Sequence, residues 1–298
     1  MPKFRIGTDD FKELIDEGGY FVDKSLLIRE IIDGSKVTLL PRPRRFGKTL
    51  NMTMLRYFFE KSDVTRRYLF ENYAIATYPE YMSHQGQYPV IYLTLKKIKG
   101  DSWVDAKEQI IQMIGRCCSS ANLSLSSLRP EDQEIYTSLV SFHPSDTILS
   151  ISLELLTLWL YEFHKKPVII LIDEYDTPMI EAWTRGYYDE MATFMRAWLG
   201  AGLKQEHGHA LYRAVVTGIL RIAKESIFSE LNNLDVASPL MIGPFSDKFG
   251  FTEQEMNLIL NAFHAQSHAE IIRDWYNGYS YGGQTIYNPW SVISYIQA

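Results

Sequence analysis

Cysteine is scarce in this chain, basic charge is not in excess, and no long apolar run is present. The two cysteines, Cys117 and Cys118, are neighbours. A disulfide between adjacent residues closes a strained ring far from the preferred Cα separation. Two free thiols on a partly buried helix, in a reducing compartment, is the plain reading, and a vicinal redox pair is the other. The purest apolar run, Val168–Ile172, is a strand's worth and far short of a membrane span. Lys and Arg number 30 against 36 Asp and Glu, a formal charge of −6. No global attraction to nucleic acid or an anionic membrane follows from that balance, so such binding would need a local patch. The opening residues, MPKFRIGTDDF, lack the apolar stretch of a secretory signal. The seven histidines do not cluster with the cysteines. His264 and His268 stand four apart on a predicted helix, but Ala265 follows where HExxH needs glutamate, so a packed or solvated pair is expected. With 46% hydrophobic and 13% aromatic residues the chain is neither disordered nor of low complexity. A cytoplasmic globular protein is expected.

What is present alternates between strand-like and helix-like segments, the pattern of an α/β fold with a mainly parallel sheet. Strands are predicted at Lys36–Pro41, Pro89–Leu95, Pro167–Ile172 and Leu211–Thr217. The second and third are almost continuously apolar, as expected for strands covered by helices on both faces. Helices are predicted at Thr49–Phe59 and Asp189–Leu203, whose Met and aromatic stripes read as core faces. Past Gly243–Pro244 the texture changes. Thr252 and Glu255 form a capping box, and an aromatic, glycine-rich stretch leads to a final short helix. That helix keeps Val292, Ile293, Tyr295 and Ile296 apolar to its end, so apolar surface lacking a partner is expected there.

The sharpest signal follows the first strand, in LLPRPRRFGKTLNMTML. Backbone N–H groups at a helix N-terminus form an anion site. Gly47 would let the backbone wrap a phosphate, Lys48 would reach the β- and γ-phosphates, and Thr49 would offer its hydroxyl to Mg²⁺. The candidate phosphate-binding stretch is Arg44, Arg45, Phe46, Gly47, Lys48, Thr49 and Leu50. Arg42 stands where G-x-x-x-x-G-K-[ST] has its first glycine, and Pro43 fixes φ and removes an N–H. Arg42, Arg44 and Arg45 either assist phosphate binding or are solvated. The alternative for the whole loop is a degenerate turn kept for its fold.

Far downstream, VIILI ends in Asp173-Glu174-Tyr175-Asp176. An apolar strand ending in two acids has the form of a Walker B segment, with Asp173 holding Mg²⁺ and Glu174 placed to polarise an attacking water. Acids at a strand end are otherwise simply solvated. Asp176 either orients Glu174 or caps the following segment. In AVVTG, Thr217 ends another apolar strand, where it could reach the γ-phosphate or the attacking water. Arg221 and Lys224 follow, as cations for the transferring phosphoryl group, from their own subunit or a neighbour's, or as partners in surface salt bridges.

The ordered combination DDFKELIDEGGYFVDKSLLI, RPRRFGKTL, IDEYDTP, TGILRIAKESIFSELNNL, FGFTEQEM and WYNGYSYGG-IYNPWSVI resembles the AAA-ATPase-like family of bacterial proteins over almost the whole chain. In that family the RPRRFGK form of the loop is typical. The resemblance implies a P-loop NTPase fold with a mainly parallel sheet sandwiched by helices, over residues 1–243, and a small helical C-terminal region at 244–298. It implies ATP as nucleotide, with phosphate binding on Lys48, Mg²⁺ on Thr49 and Asp173, and catalysis on Glu174. Members commonly continue into a domain resembling PD-(D/E)XK nucleases. That domain is not among these 298 residues, so no cleavage activity is expected of them.

The leading expectation is an ATPase coupling Mg²⁺-ATP binding and hydrolysis to a conformational change. One alternative is a nucleotide-gated protein-interaction module with little hydrolysis, and another is the regulatory ATPase of a nuclease-like system. Direct nucleic-acid binding by this chain is not expected, a small-molecule kinase fits less well, and a homo-oligomer is needed only if Arg221 acts on a neighbour's ATP.

Overall fold

The computed structural model describes residues 3–204, 209–219, 227–228, 231–276 and 278–297. Contacts divide the chain into two compact units, one of residues 1–34, 40–86 and 236–298, the other of 35–39 and 87–235.

The second unit is built on a five-stranded, mostly parallel sheet flanked by helices. Its strands are β1 (Val37–Pro41), β2 (Val90–Thr94), β3 (Val168–Asp173), β4 (Leu211–Gly218) and β5 (Leu234–Val236), in the order β2-β3-β4-β1-β5. β1 and β5 lie at the unit's borders, where the chain passes to the first unit. β3 runs parallel to both β2 and β4, with Thr94 opposite Asp173 and Ile172 opposite Val216. Every residue of β3 is buried, which is why its sequence shows no alternation. β2 was expected to be equally covered. It alternates instead, with Ile91 and Leu93 buried and Thr94 exposed, because it is the sheet's edge.

Helices Trp103–Ser120 and Asp146–His164 both begin on serine caps, with Ser102 accepting from Asp105 N and Ser145 from Ile148 N. The expected stripe Met191, Phe194, Met195, Trp198, Leu199, Gly202 and Leu203 is the buried face of helix Tyr188–Leu203. Trp198 is interior, and its indole donates to Ser152 Oγ at 3.0 Å, which settles the one polar atom that burial would leave unsatisfied. Cys118 is buried and Cys117 half-buried on helix Trp103–Ser120, and neither is in a disulfide.

In the first unit, helix Lys48–Phe59 buries Met52, Met54, Leu55, Phe58 and Phe59. A small antiparallel sheet joins β6 (Phe251–Thr252), β7 (Tyr279–Tyr281) and β8 (Gln284–Tyr287) in the order β6-β8-β7. The Thr252–Glu255 capping box forms and opens helix Glu253–Ala262. Two expectations fail here. His264 and His268 do not share a helix. His264 takes φ +56°, and Ala265 N bonds Leu260 O at 2.8 Å, a left-handed stop that ends the helix two residues before it. The last helix, Pro289–Gln297, does not carry unpartnered apolar surface at the four positions expected. Val292 is buried, and Ile293, Tyr295 and Ile296 pack on a cluster with Phe4, Met256, Ile259 and Ile272.

Because Ile170 sits fully buried in β3, Ile170→Ala is expected to cost about 2–5 kcal/mol, read as a fall in the urea unfolding midpoint with an unchanged slope.

Candidate nucleotide site

The phosphate-loop residues lie in the first unit. β1 gives way at Pro41 to a loop that re-enters regular structure at Lys48, the first residue of a twelve-residue helix. Gly47 precedes it at φ +80°, a left-handed conformation that glycine adopts without a Cβ penalty. Arg45 is also left-handed, at φ 68°, and such reversals turn successive N–H groups into an anion-binding concavity. Lys48 is 6% exposed, and its ammonium donates to Arg42 O at 3.1 Å and Pro43 O at 2.9 Å. Phe46 is buried against Tyr279 and Tyr281, so its side chain is a structural anchor of the loop. Thr49 and Leu50 are half-buried on the helix's first turn, and Arg44 and Arg45 are exposed. Arg45 lies 4.0 Å over the ring of Trp290, and Arg44 O accepts from Asn288 Nδ2 at 3.3 Å.

Arg42 differs from its neighbours and is not solvated. It is 1% exposed. Nη1 donates to Pro41 O and Ala237 O, both at 2.8 Å, and Nη2 to Phe245 O at 3.0 Å. The guanidinium carbon lies 5.2 Å from the Phe249 ring and 5.8 Å from that of Tyr281. Burial pulls its pKa down to about 10, still well above neutrality, so the group stays charged. The expectation that Arg42 is spent on nucleotide phosphates is corrected: both of its terminal nitrogens donate to main-chain carbonyls.

The acidic residues lie in the second unit. Asp173, the last residue of β3, and Thr217, the last but one of the adjacent parallel strand β4, are both fully buried, and Thr217 Oγ1 donates to Asp173 Oδ1 at 2.5 Å. The next residue, half-buried Glu174, takes φ +55°, rare for a residue with a Cβ. Its backbone is held on both sides, by Tyr175 N to Thr217 O at 3.0 Å and Thr177 N to Glu174 O at 3.1 Å. The Thr177 hydroxyl donates to Glu174 Oε2 at 3.2 Å. Sequence reasoning missed Thr177, although the spacing Glu174–Thr177 on a turn carries that signal. Asp176 occupies the N-cap position of helix Thr177–Arg185 without a side-chain cap, and its Oδ2 accepts from Ile219 N at 2.8 Å. It therefore ties the turn after β3 to the end of β4. Arg221 and Lys224 lie outside the described residues.

Could these residues hold a metal? Among the described residues no group of three or more His, Cys, Asp and Glu forms a metal cage. Mg²⁺ in phosphate-transfer sites uses one or two protein oxygens and takes the rest from phosphates and water. The Thr49 hydroxyl in the first unit and the Asp173 carboxylate in the second are each oxygen donors of the kind that mode uses.

A family model described as "Predicted AAA-ATPase" matches residues 5–228, well over half of the chain. The chain belongs to the AAA-ATPase-like family. Nucleotide binding, with ATP and typically Mg²⁺, is what membership implies. An uncharacterized protein of Azotobacter chroococcum mcd 1, described as lying in the vnfD 5' region, is 25% identical over 301 residues, covering 99% of this chain and 52% of the relative. The chain thus spans about half the length of that relative. No solved structure matches it. No helix among the described residues is long and apolar enough to cross a membrane.

The close approach of β4 to the acidic turn makes this AAA-ATPase-like chain sensitive at Gly218. A Cβ there would stand 2.7 Å from both Asp176 Oδ1 and the Tyr175 ring. Gly218→Ala is expected to lower stability by about 1–3 kcal/mol, measured by thermal unfolding.

Proposed function

We propose that the chain is a Mg²⁺-dependent ATPase that couples nucleotide binding and hydrolysis to a conformational change. The observation that carries this reading is Lys48: a buried ammonium on the first residue of a helix, entered through left-handed Gly47 and resting on two carbonyls of its own loop. On this reading Lys48 exchanges those carbonyls for the β- and γ-phosphate oxygens, while the helix N-terminus and the turned backbone of 44–47 cradle the remaining charge. Bound Mg²⁺ supplies charge neutralisation at the phosphate oxygens. Thr49 and Asp173 would hold it, and Thr217 is a positioning residue that fixes the Asp173 carboxylate through their 2.5 Å hydrogen bond. Glu174 accepts a proton from the attacking water on a carboxylate oxygen. Arg221 is the proposed cation for the transferring group, in its own subunit or, in a homo-oligomer, in a neighbour's site. A protein partner or a nuclease-like domain would receive the motion.

The bond from Thr177 to Glu174 favours a second reading, a nucleotide-gated module with slow hydrolysis, because it occupies one oxygen of the proposed base.

Calorimetry with Mg²⁺-ATP and a parallel phosphate-release assay test both. Lys48→Ala is expected to weaken ATP binding at least tenfold and abolish turnover. Glu174→Gln is expected to keep binding and lose most turnover, and an unchanged rate would remove Glu174 from the mechanism. Thr177→Val raises turnover severalfold if the hydroxyl restrains the base, and leaves it unchanged if hydrolysis is ungated.

A further inference from the structure

Arg42 faces two ways. Its main-chain carbonyl accepts from Lys48 Nζ at 3.1 Å, so it holds the residue proposed to meet phosphate. Its guanidinium binds Ala237 O at 2.8 Å and Phe245 O at 3.0 Å. Those carbonyls are the two feet of a strap, residues 237–245. The strap is stitched internally by Met241 N to Ser238 O at 3.2 Å, and Gly243 N donates to Ser246 Oγ just past its second foot at 2.9 Å. Its tip presents Leu240, Met241 and Ile242 to solvent, at 81, 67 and 86% exposure. Both feet are carbonyls held by donors of one planar fork, and between them Pro239 O accepts from Gly282 N at 3.1 Å.

A glycine at this position would give the phosphate loop freedom and nothing else. An arginine here ties the loop to a segment about 200 residues away in sequence. The following stretch adds to the tie: Gly250 N donates to Phe46 O at 3.2 Å, and Asn51 Nδ2 donates to Lys248 O at 2.8 Å. If Lys48 leaves Arg42 O for a nucleotide, one contact that sets Arg42 changes while its bonds to the strap, to Pro41 O and its ring contacts remain.

We propose that Arg42 is a positioning residue that couples the phosphate loop to the strap 237–245, so that a bound nucleoside triphosphate and a closed strap each favour the other. The proposal rests on the reading of the loop as an ATP site. Coupling of this kind is reciprocal: whatever factor the strap adds to nucleotide affinity, the nucleotide adds to strap closure.

The test is limited thermolysin digestion, which cuts before exposed Leu, Ile and Met, run beside calorimetry with Mg²⁺ and a non-hydrolysable ATP analogue. In the unaltered chain, saturating analogue is expected to slow cleavage at 240–242 at least threefold. Arg42→Gly restores the full G-x-x-x-x-G-K-[ST] pattern, yet is expected to weaken analogue binding tenfold or more and to make cleavage insensitive to it. Arg42→Lys keeps the charge without spanning both feet, and should fall between. It carries the affinity arm if Arg42→Gly does not fold. Analogue binding by the unaltered chain with no change in cleavage overturns the coupling alone, as does Arg42→Gly, or its Lys substitute, binding as tightly as the original. Failure of the unaltered chain to bind the analogue overturns the ATP reading and the coupling with it.

Discussion

A guanidinium buried where a phosphate loop ordinarily has glycine must find acceptors inside the protein or impose a penalty on the fold. Burial penalises the charged guanidinium and lowers the Arg42 pKa to about 10. Three carbonyls and two aromatic faces offset that penalty. The compensation is incomplete, since Arg42 Nε and the nearby Tyr281 hydroxyl are buried without hydrogen-bond partners among the described residues. Much of the first unit's arrangement near the loop answers to this one side chain. The strap, the Phe249 ring and β7 all lie where the guanidinium needs them. Phe46, buried on Tyr279 and Tyr281, extends the same packing along the loop. The loop is therefore shaped from outside itself, whereas a glycine-entered loop draws its shape from its own backbone freedom.

In the second unit the corresponding constraint is the parallel pairing of β3 and β4. Register sets Ile172 opposite Val216 and so brings the next residues, Asp173 and Thr217, within a 2.5 Å hydrogen bond. A buried carboxylate without a donor is costly. Here the donor comes from the adjacent strand, which fixes the carboxylate's orientation as well as its solvation. The pairing that makes the sheet also makes the acidic end of β3.

The strands were legible because a parallel sheet covered by helices writes itself as unbroken apolar runs, and β3 and β4 follow those runs within a residue. The turn from strand to helix at Gly47 and Lys48 was legible because an apolar run, a glycine and an amphipathic stretch follow one another there. Arg42 was misread because its partners, Ala237 and Phe245, are remote in sequence, and an arginine beside two others looks like one more surface cation. The helix stop at His264 was hidden for a local reason. A left-handed C-terminal stop is normally marked by glycine or asparagine, and histidine gives no such sign. The apolar end of the last helix seemed to lack a partner because its partners include Phe4, at the other end of the chain.

Glu174 is where local preference and the observed backbone disagree most. A left-handed φ costs a residue with a Cβ about 1–2 kcal/mol, and glycine would relieve it. The conformation persists because hydrogen bonds from Tyr175 N to Thr217 O and from Thr177 N to Glu174 O fix the turn from both sides. Those bonds serve the backbone and would form equally well around glycine, so they do not account for a carboxylate at this position. Strain held in place by its surroundings is characteristic of residues whose side chain is needed in one orientation. The hydroxyl of Thr177, which reaches the Glu174 carboxylate and not a main-chain group, acts on that side chain directly. Backbone strain and side-chain restraint thus converge on the residue to which the proposed mechanism gives the proton.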